Sequence, residues 1–393
     1  MSRKEVFAVA QMGPVHLQDT KAQVVARLIE MLREAHSHGA RWVTFPELAL
    51  TTFFPRYIYD SPEEYDVFFE EGLPSPAMLP LFEEARSFGI GFYLGYAEKV
   101  EEGGQTRRFN TSVLVGPDGT ILGKYRKIHL PGTKDPIGDL EFEHLEKRYF
   151  EVGDLGFPAF KTPSGRFGMC ICNDRRWPET FRVMALRGAE VFMLGYNTPT
   201  RNIHHPEPAH LREFHNRLSL EAAAYQNGAW VMAAAKCGSE DGFAMIGGSA
   251  IMAPTGEVVA RAVSEDDEVI AYNCDLDLGA YIRRSVFDFA RHRRTLHGHR
   301  PYRFRRRHLV RLRRCPCRCH RRRVRRIFPG PYGSAAARSR YRGLAADQGC
   351  GRDTQGHARG GNVRTLAPAR HTDRERRAAV SYRSILSRSL RRA

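Results

Sequence analysis

The sequence predicts a layered α/β domain over residues 1–295 and a disordered basic segment over residues 296–393. Three observations lead there. Short apolar runs alternate with amphipathic helical patterns through the first 290 or so residues. Two hairpin signals, each a Pro-x-Gly turn between apolar runs, recur far apart in the chain. Past Thr295 the alternation stops and arginine, glycine, alanine and proline dominate.

The elements follow in order. Val6-Phe-Ala-Val-Ala10 is a short apolar run suited to a buried strand. Asp19 or Thr20 can cap the next helix, whose apolar face is Val24, Val25, Leu28, Ile29 and Leu32 and whose end is Gly39. Trp42-Val-Thr-Phe45 reads as a strand stopping at Pro46-Glu47. A helix near residues 79–88 leads to a strand at 90–96. Pro117-Asp118-Gly119 turns a hairpin, and a similar unit surrounds Pro254-Thr255-Gly256, which suggests two sheets on a related plan. Strands at 167–171, 191–194 and 230–235, with helices near 179–187 and 207–226, complete the set.

The bulk composition narrows the class. An apolar content of 42% supports a real core, and no apolar run reaches the roughly 18 residues that cross a bilayer. The N-terminus carries no secretory pattern, so a cytoplasmic protein is expected. The eight cysteines are irregularly spaced and are expected to be free thiols. The net charge of +17 hides two opposite parts: residues 300–393 hold 28 arginines, no lysine and four acids, whereas residues 1–299 are mildly acidic.

The basic segment sustains no hydrophobic period and cannot offset its ordering entropy. Its composition is also what an out-of-frame reading of GC-rich DNA produces. Its arginines could neutralise phosphates, but it lacks aromatic interleaving and any RGG repeat, so nucleic acid is not an expected partner. The x₁ spacings of Cys315-Pro-Cys-Arg-Cys-His320 are too tight for an ordinary zinc site.

Three segments put a reactive side chain at a strand end. In Phe167-Gly-Met-Cys-Ile-Cys172-Asn-Asp-Arg-Arg-Trp-Pro178 an apolar strand runs into Cys172, a polar turn and a helix start. A thiol there lies near backbone N–H groups that favour thiolate and can hold an oxyanion; a buried structural cysteine is the plainer alternative, and Cys170 fits it. In Thr44-Phe-Pro-Glu47-Leu-Ala-Leu, apolar neighbours would desolvate Glu47 and make it a better base, although a turn glutamate fits as well. In Lys124-Tyr-Arg-Lys127-Ile-His129, Lys127 can donate to an oxyanion or simply belong to a solvated basic hairpin end.

Together these segments resemble the nitrilase superfamily, whose members use Glu, Lys and Cys in that chain order. Within it, the words Phe45-Pro-Glu-Leu-Ala-Leu-Thr-Thr-Phe-Phe-Pro55, His144-Leu-Glu-Lys-Arg-Tyr-Phe150, Cys172-Asn-Asp-Arg-Arg-Trp-Pro-Glu179 and Gly195-Tyr-Asn-Thr-Pro-Thr200 are most similar to the N-carbamoyl-D-amino-acid hydrolases. The resemblance covers residues 5–294. It implies a four-layer αββα sandwich, no metal or organic cofactor, a homo-oligomer (dimer or tetramer) and a small N-carbamoyl-D-amino acid as substrate. It implies catalytic Glu47, Lys127 and Cys172, with Glu146 as a second carboxylate that positions substrate or water. Asn173, Arg175, Arg176, Asn197 and Thr198 match substrate-contacting positions, the arginines being suited to grip a carboxylate. His129 and His144 match histidines that support the site by hydrogen bonding. The body has no His-x-x-x-His or Cys-x-x-Cys metal spacing, and His204-His205 reads as a solvated loop pair. The sequence after Thr295 departs from the family pattern, which puts subunit contacts in doubt. Nitrilases, aliphatic amidases and β-alanine-forming ureidases share the triad and stay open as alternatives.

Overall fold

In a computed structural model the described residues are 2–138, 140, 142–201 and 207–292. The domain boundary at 295/296, the basic segment with its Cys315–His320 cluster, and His204-His205 lie outside them.

The first six strands are β1 (Lys4–Gln11), β2 (Trp42–Thr44), β3 (Phe69–Glu71), β4 (Gly91–Glu102), β5 (Gln105–Val115) and β6 (Ile121–Arg126). Then come β7 (Ala159–Thr162), β8 (Gly165–Ile171), β9 (Val191–Tyr196), β10 (Trp230–Ala235), a ribbon of β11 (Ser239–Glu240) and β12 (Phe243–Ala244), β13 (Ala250–Met252), β14 (Val258–Arg261) and β15 (Glu268–Asp275). One sheet runs β15-β1-β2-β4-β5-β6 with β3 beside β4, and the other runs β14-β13-β10-β9-β8-β7.

The two sheets do share a plan. Each has three central parallel strands, β1-β2-β4 and β8-β9-β10, flanked by antiparallel ones. Each ends in one of the predicted hairpins, β5–β6 or β13–β14, whose turns carry Gly119 and Gly256 at positive φ. Helices Lys21–Ser37 and Leu79–Phe88 pack on the first sheet, and Pro178–Leu186 and Ala209–Asn227 on the second. The result is the four-layer αββα sandwich.

Local chemistry fixes the helix ends. Thr20, rather than Asp19, caps the first helix in a reciprocal capping box with Gln23. Asp19 instead accepts the His16 N–H. Strand alternation divides the core: Ala8 and Ala10 face the helices with Leu28 and Leu32, while Phe7 and Val9 face the second sheet. Each fully buried aromatic there, such as Phe7 or Phe167, contributes about 1.5–3 kcal/mol. Two polar ties cross the gap between sheets. Trp42 Nε1 donates to Ser164 Oγ at 2.9 Å, and Tyr93 donates to the Cys170 carbonyl at 2.9 Å while accepting the Gly195 N–H at 3.0 Å. The set of strands expected from the sequence lacks β3, β7 and the β11–β12 ribbon, of two to four residues each and too short to show a period, and also the eight-residue β15, whose Glu268-Val-Ile-Ala-Tyr-Asn-Cys-Asp275 does not alternate.

Candidate active site

Three parallel strands and the edge strand β6 deliver the reactive residues at their carboxyl ends, where open α/β sheets form crevices. Glu47 lies three residues past β2, Lys127 follows β6, Cys172 follows β8 and Asn197 follows β9.

Glu47, Lys127 and Glu146 form a fully buried cluster. The Lys127 ammonium lies 2.7 Å from Glu47 Oε1 and 2.6 Å from Glu146 Oε2. An ammonium has three donors, so one remains beyond these two contacts. Asn110 Nδ2 bridges the same carboxylates, at 2.8 Å from Glu47 and 3.5 Å from Glu146. Glu47 Oε2 accepts the Asn197 N–H at 2.9 Å, and His144 Nε2 sits 3.3 Å from Glu146 Oε1. Burial alone would lower the Lys127 ammonium, but Glu146 and then Glu47 outweigh it and hold it above the ordinary lysine value. Burial likewise opposes ionisation of Glu146, and Lys127 and His144 overcome it, keeping the carboxyl below its usual range.

Two glycines let the Glu47 backbone pass between the sheets. A Cβ on Gly95 would lie 2.6 Å from Glu47 Cα, and one on Gly195 would lie 2.3 Å from Glu47 N. Only glycine tolerates backbone this close on both sides.

Cys172 stands at a sharp elbow with φ of +47°, in the left-handed region that non-glycine residues rarely occupy. Buried Asp174 braces it by accepting Tyr125 Oη at 2.8 Å, the His129 N–H at 2.9 Å and the Ile171 N–H at 3.1 Å, with His129 Nδ1 at 2.7 Å. The Sγ atom lies 3.7 Å from both the Asn197 carbonyl and Arg175 Nη1. Burial and then Glu47 push the thiol up, while Lys127 and Arg175 pull it back. Asn197 joins nucleophile to carboxylate, its carbonyl facing Sγ and its N–H donating to Glu47 Oε2, and its Nδ2 donates to the Glu47 backbone carbonyl at 2.8 Å.

Cys172 opens into a cavity of about 350 Å³. His144, Asn173, Arg175, Arg176, Asn197 and Thr198 line it, together with Arg212 from helix Ala209–Asn227. Arg212 donates to the Pro199 carbonyl at 3.2 Å and pairs with Glu207 at 3.2 Å. Of the site residues expected from the sequence, Cys172, His144, Asn173, Arg175, Arg176, Asn197 and Thr198 line this cavity; Glu47, Lys127 and Glu146 do not, and are joined to its lining through Asn197 and His144, while His129 sits on Asp174. Among the described residues no group of three or more His, Cys, Asp or Glu is placed to hold a metal ion.

The sequence reading missed Asn110, Asp174 and Arg212. Asn110 begins the polar run Asn110-Thr-Ser112 that leads into the apolar end of β5, and Asp174 follows a buried strand by three residues; both are signals of a polar group with a buried partner. Arg212 gave no signal, because only the tertiary fold brings its helix to the cavity.

The fold and the strand-end cluster define a class of hydrolase, and sequence comparison agrees. Residues 7–284 match the carbon-nitrogen hydrolase family, and the chain belongs to that family, within the nitrilase superfamily. It is a hydrolase of carbon–nitrogen bonds other than peptide bonds. It is 33% identical over 271 residues to a nitrilase of Pyrococcus abyssi, covering 69% of this chain and 90% of that one. It is 31% identical over 265 residues to N-carbamoylputrescine amidase of Arabidopsis thaliana, covering 65% and 82%. A carbon-nitrogen hydrolase from Helicobacter pylori G27 shares the fold, with a TM-score of 0.62 at 24% identity over 74% of this chain and 96% of that one. No helix among the described residues is long and apolar enough to cross a membrane.

Proposed function

We propose that the protein hydrolyses N-carbamoyl-D-amino acids to the D-amino acid, ammonia and carbon dioxide through a covalent Cys172 intermediate. The observation that carries this reading is the cationic wall of the cavity: Arg175, Arg176 and Arg212 all line it beside the thiol. A simple nitrile or amide needs no such charge. N-carbamoylputrescine, the substrate named for the Arabidopsis relative, carries an ammonium group that this wall would repel. A ureido acid offers a carboxylate that guanidinium binds well. The D configuration rests on the resemblance in Cys172–Glu179 and Gly195–Thr200.

In this mechanism Glu47 takes the Cys172 proton and the thiolate attacks the carbamoyl carbon. The free Lys127 donor and the Asn173 backbone N–H stabilise the oxyanion. Glu47 returns the proton to the leaving nitrogen, ammonia departs, and a thiocarbamate links sulfur to the amino-acid nitrogen. Water, directed by Glu146 or Glu47, cleaves it and regenerates the thiol. The released N-carboxy amino acid loses carbon dioxide. Asn197 Oδ1 is buried with no partner among the described residues, and it is suited to accept an N–H from the ureido group.

An ammonia-release assay with N-carbamoyl-D-phenylalanine, its L isomer, N-carbamoylputrescine and a simple nitrile tests the reading. The D-ureido acid is expected to be the best substrate. Preference for the nitrile or the cationic amide would overturn the assignment.

A further inference from the structure

The two adjacent arginines of the elbow face different tasks. Arg175 is buried, and its guanidinium is already engaged by the protein. Nη1 donates to the Cys172 carbonyl at 2.6 Å and lies 3.7 Å from Sγ; Nη2 donates to Thr198 Oγ1 at 3.0 Å. Its plane sits 4.7 Å from the centre of the Tyr196 ring, which closes one face. Arg176 remains exposed at the cavity mouth and makes no hydrogen bond or ion pair among the described residues.

We propose that Arg175 is a positioning residue for the nucleophile, holding the Cys172 elbow and stabilising its thiolate, which leaves Arg176 to receive the substrate carboxylate, since Arg212 is already paired with Glu207. The carboxylate half rests on the function proposed above; the half concerning Cys172 does not.

Two physical arguments support the division. The left-handed conformation of Cys172 is costly and persists only where contacts over-determine it. The 2.6 Å bond from Arg175 to the Cys172 carbonyl is such a contact. The second argument is charge. Lys127 is shared between Glu47 and Glu146, so its field at the sulfur is largely cancelled. Arg175 has no carboxylate partner among the described residues, so its charge acts on the sulfur uncancelled. A carboxylate drawn onto Arg175 would remove that field from the nucleophile when it is needed. Arg176 has no such duty, and its donors are free to meet a ligand.

Alkylation of Cys172 separates these roles without any substrate. Iodoacetamide is neutral and reads the thiolate; iodoacetate carries a carboxylate and also reads the binding arginines. For Arg175→Gln the pH profile of iodoacetamide alkylation is expected to move upward by about one unit, which slows the neutral-pH reaction about tenfold. Arg175→Lys keeps a charge near the sulfur but cannot donate to both the Cys172 carbonyl and Thr198 Oγ1, so its profile is expected between those of Arg175→Gln and the unsubstituted protein. Arg176→Gln should leave the iodoacetamide profile in place, reduce the iodoacetate-to-iodoacetamide rate ratio about fivefold or more, and raise KM for N-carbamoyl-D-phenylalanine about tenfold.

An Arg175→Gln profile that superimposes on the unsubstituted one overturns the proposal. If the glutamine variant does not fold, an Arg175→Lys variant with both its alkylation profile and its kcat unchanged overturns the proposal. A shifted alkylation profile without turnover of any ureido acid would sink the proposed function and leave the role of Arg175 standing.

Discussion

Lys127 and Lys236 are both completely buried, yet burial leaves their ammonium groups on opposite sides of the ordinary value. Lys127 is raised because two carboxylates, Glu146 and Glu47, surround one cation. Lys236 is lowered because burial dominates, and the one carboxylate beside it, Glu240, is shared with Arg56. The difference teaches what each cluster is for. Around Glu240 both oxygens are filled: Oε1 by Arg56, the Phe53 N–H and Thr52, Oε2 by Lys236 and the Val15 N–H. Lys236 also donates to the Thr51 carbonyl, and Arg56 to the carbonyls of Phe53 and Glu240. That closed cluster pins residues 51–56, the segment that follows Glu47. The Lys127 cluster sets two carboxylates around one cation, keeps a donor in reserve and reaches the cavity lining through Asn197 and His144, as the proposed proton transfer requires.

Substitutions can break this comparison. Lys127→Met leaves two carboxylates buried without their cation, so stability should fall by about 3–5 kcal/mol. Turnover should fall by on the order of 10³, because an oxyanion donor is lost as well. Urea unfolding and ammonia release measure the two effects. Glu240→Gln should cost a similar amount of stability, about 3–5 kcal/mol, since two buried cations lose their anion. Its kcat per folded molecule should fall far less than that of Lys127→Met. Equal losses of kcat in both variants would erase the distinction between a scaffold cluster and a working one.

Asn110→Ala should sharpen the picture on a smaller scale. It removes one donor shared by two carboxylates, at about 1–3 kcal/mol, and should lower kcat while leaving KM nearly unchanged. The smallest effect is a pH dependence. Lys127 is raised from 10.5 in the folded protein and Glu146 is lowered from 4.5. The contribution of Glu146 is therefore full above pH 4.5 and lost as pH falls toward its lowered value; that of Lys127 is full below pH 10.5 and lost as pH rises beyond it. Lys236, lowered from 10.5, acts in the opposite sense, and its share of stability rises with pH up to 10.5. Urea midpoints across pH should show Lys127→Met flattening both limbs and Lys236→Met flattening only the rise.

The sequence exposed what lies close together along the chain. The strand ends before Glu47 and Cys172, the hairpins at Gly119 and Gly256, and the helix start at Pro178 all carry their own local signals, and the structure has each of them. What stayed hidden depends on partners far away. Gly95 and Gly195 looked like ordinary strand glycines until the fold passed Glu47 between them. Glu240 meets Arg56 across 184 residues, and no spacing rule reaches that far. Arg212 comes to the cavity on a helix whose periodicity speaks only of its packing. Asp174 stood inside the quoted Cys172 segment, and its burial beneath the elbow was, with Asn110, a legible feature passed over.

During turnover the Cys172 sulfur is expected to bond to the carbamoyl carbon. Mass spectrometry of protein quenched during reaction with N-carbamoyl-D-phenylalanine tests it directly. An adduct of the substrate mass less one ammonia is expected, mapped to the Cys172 peptide and missing from an inactive Cys172→Ala variant. An adduct on another residue, or turnover that survives Cys172→Ala, would contradict it.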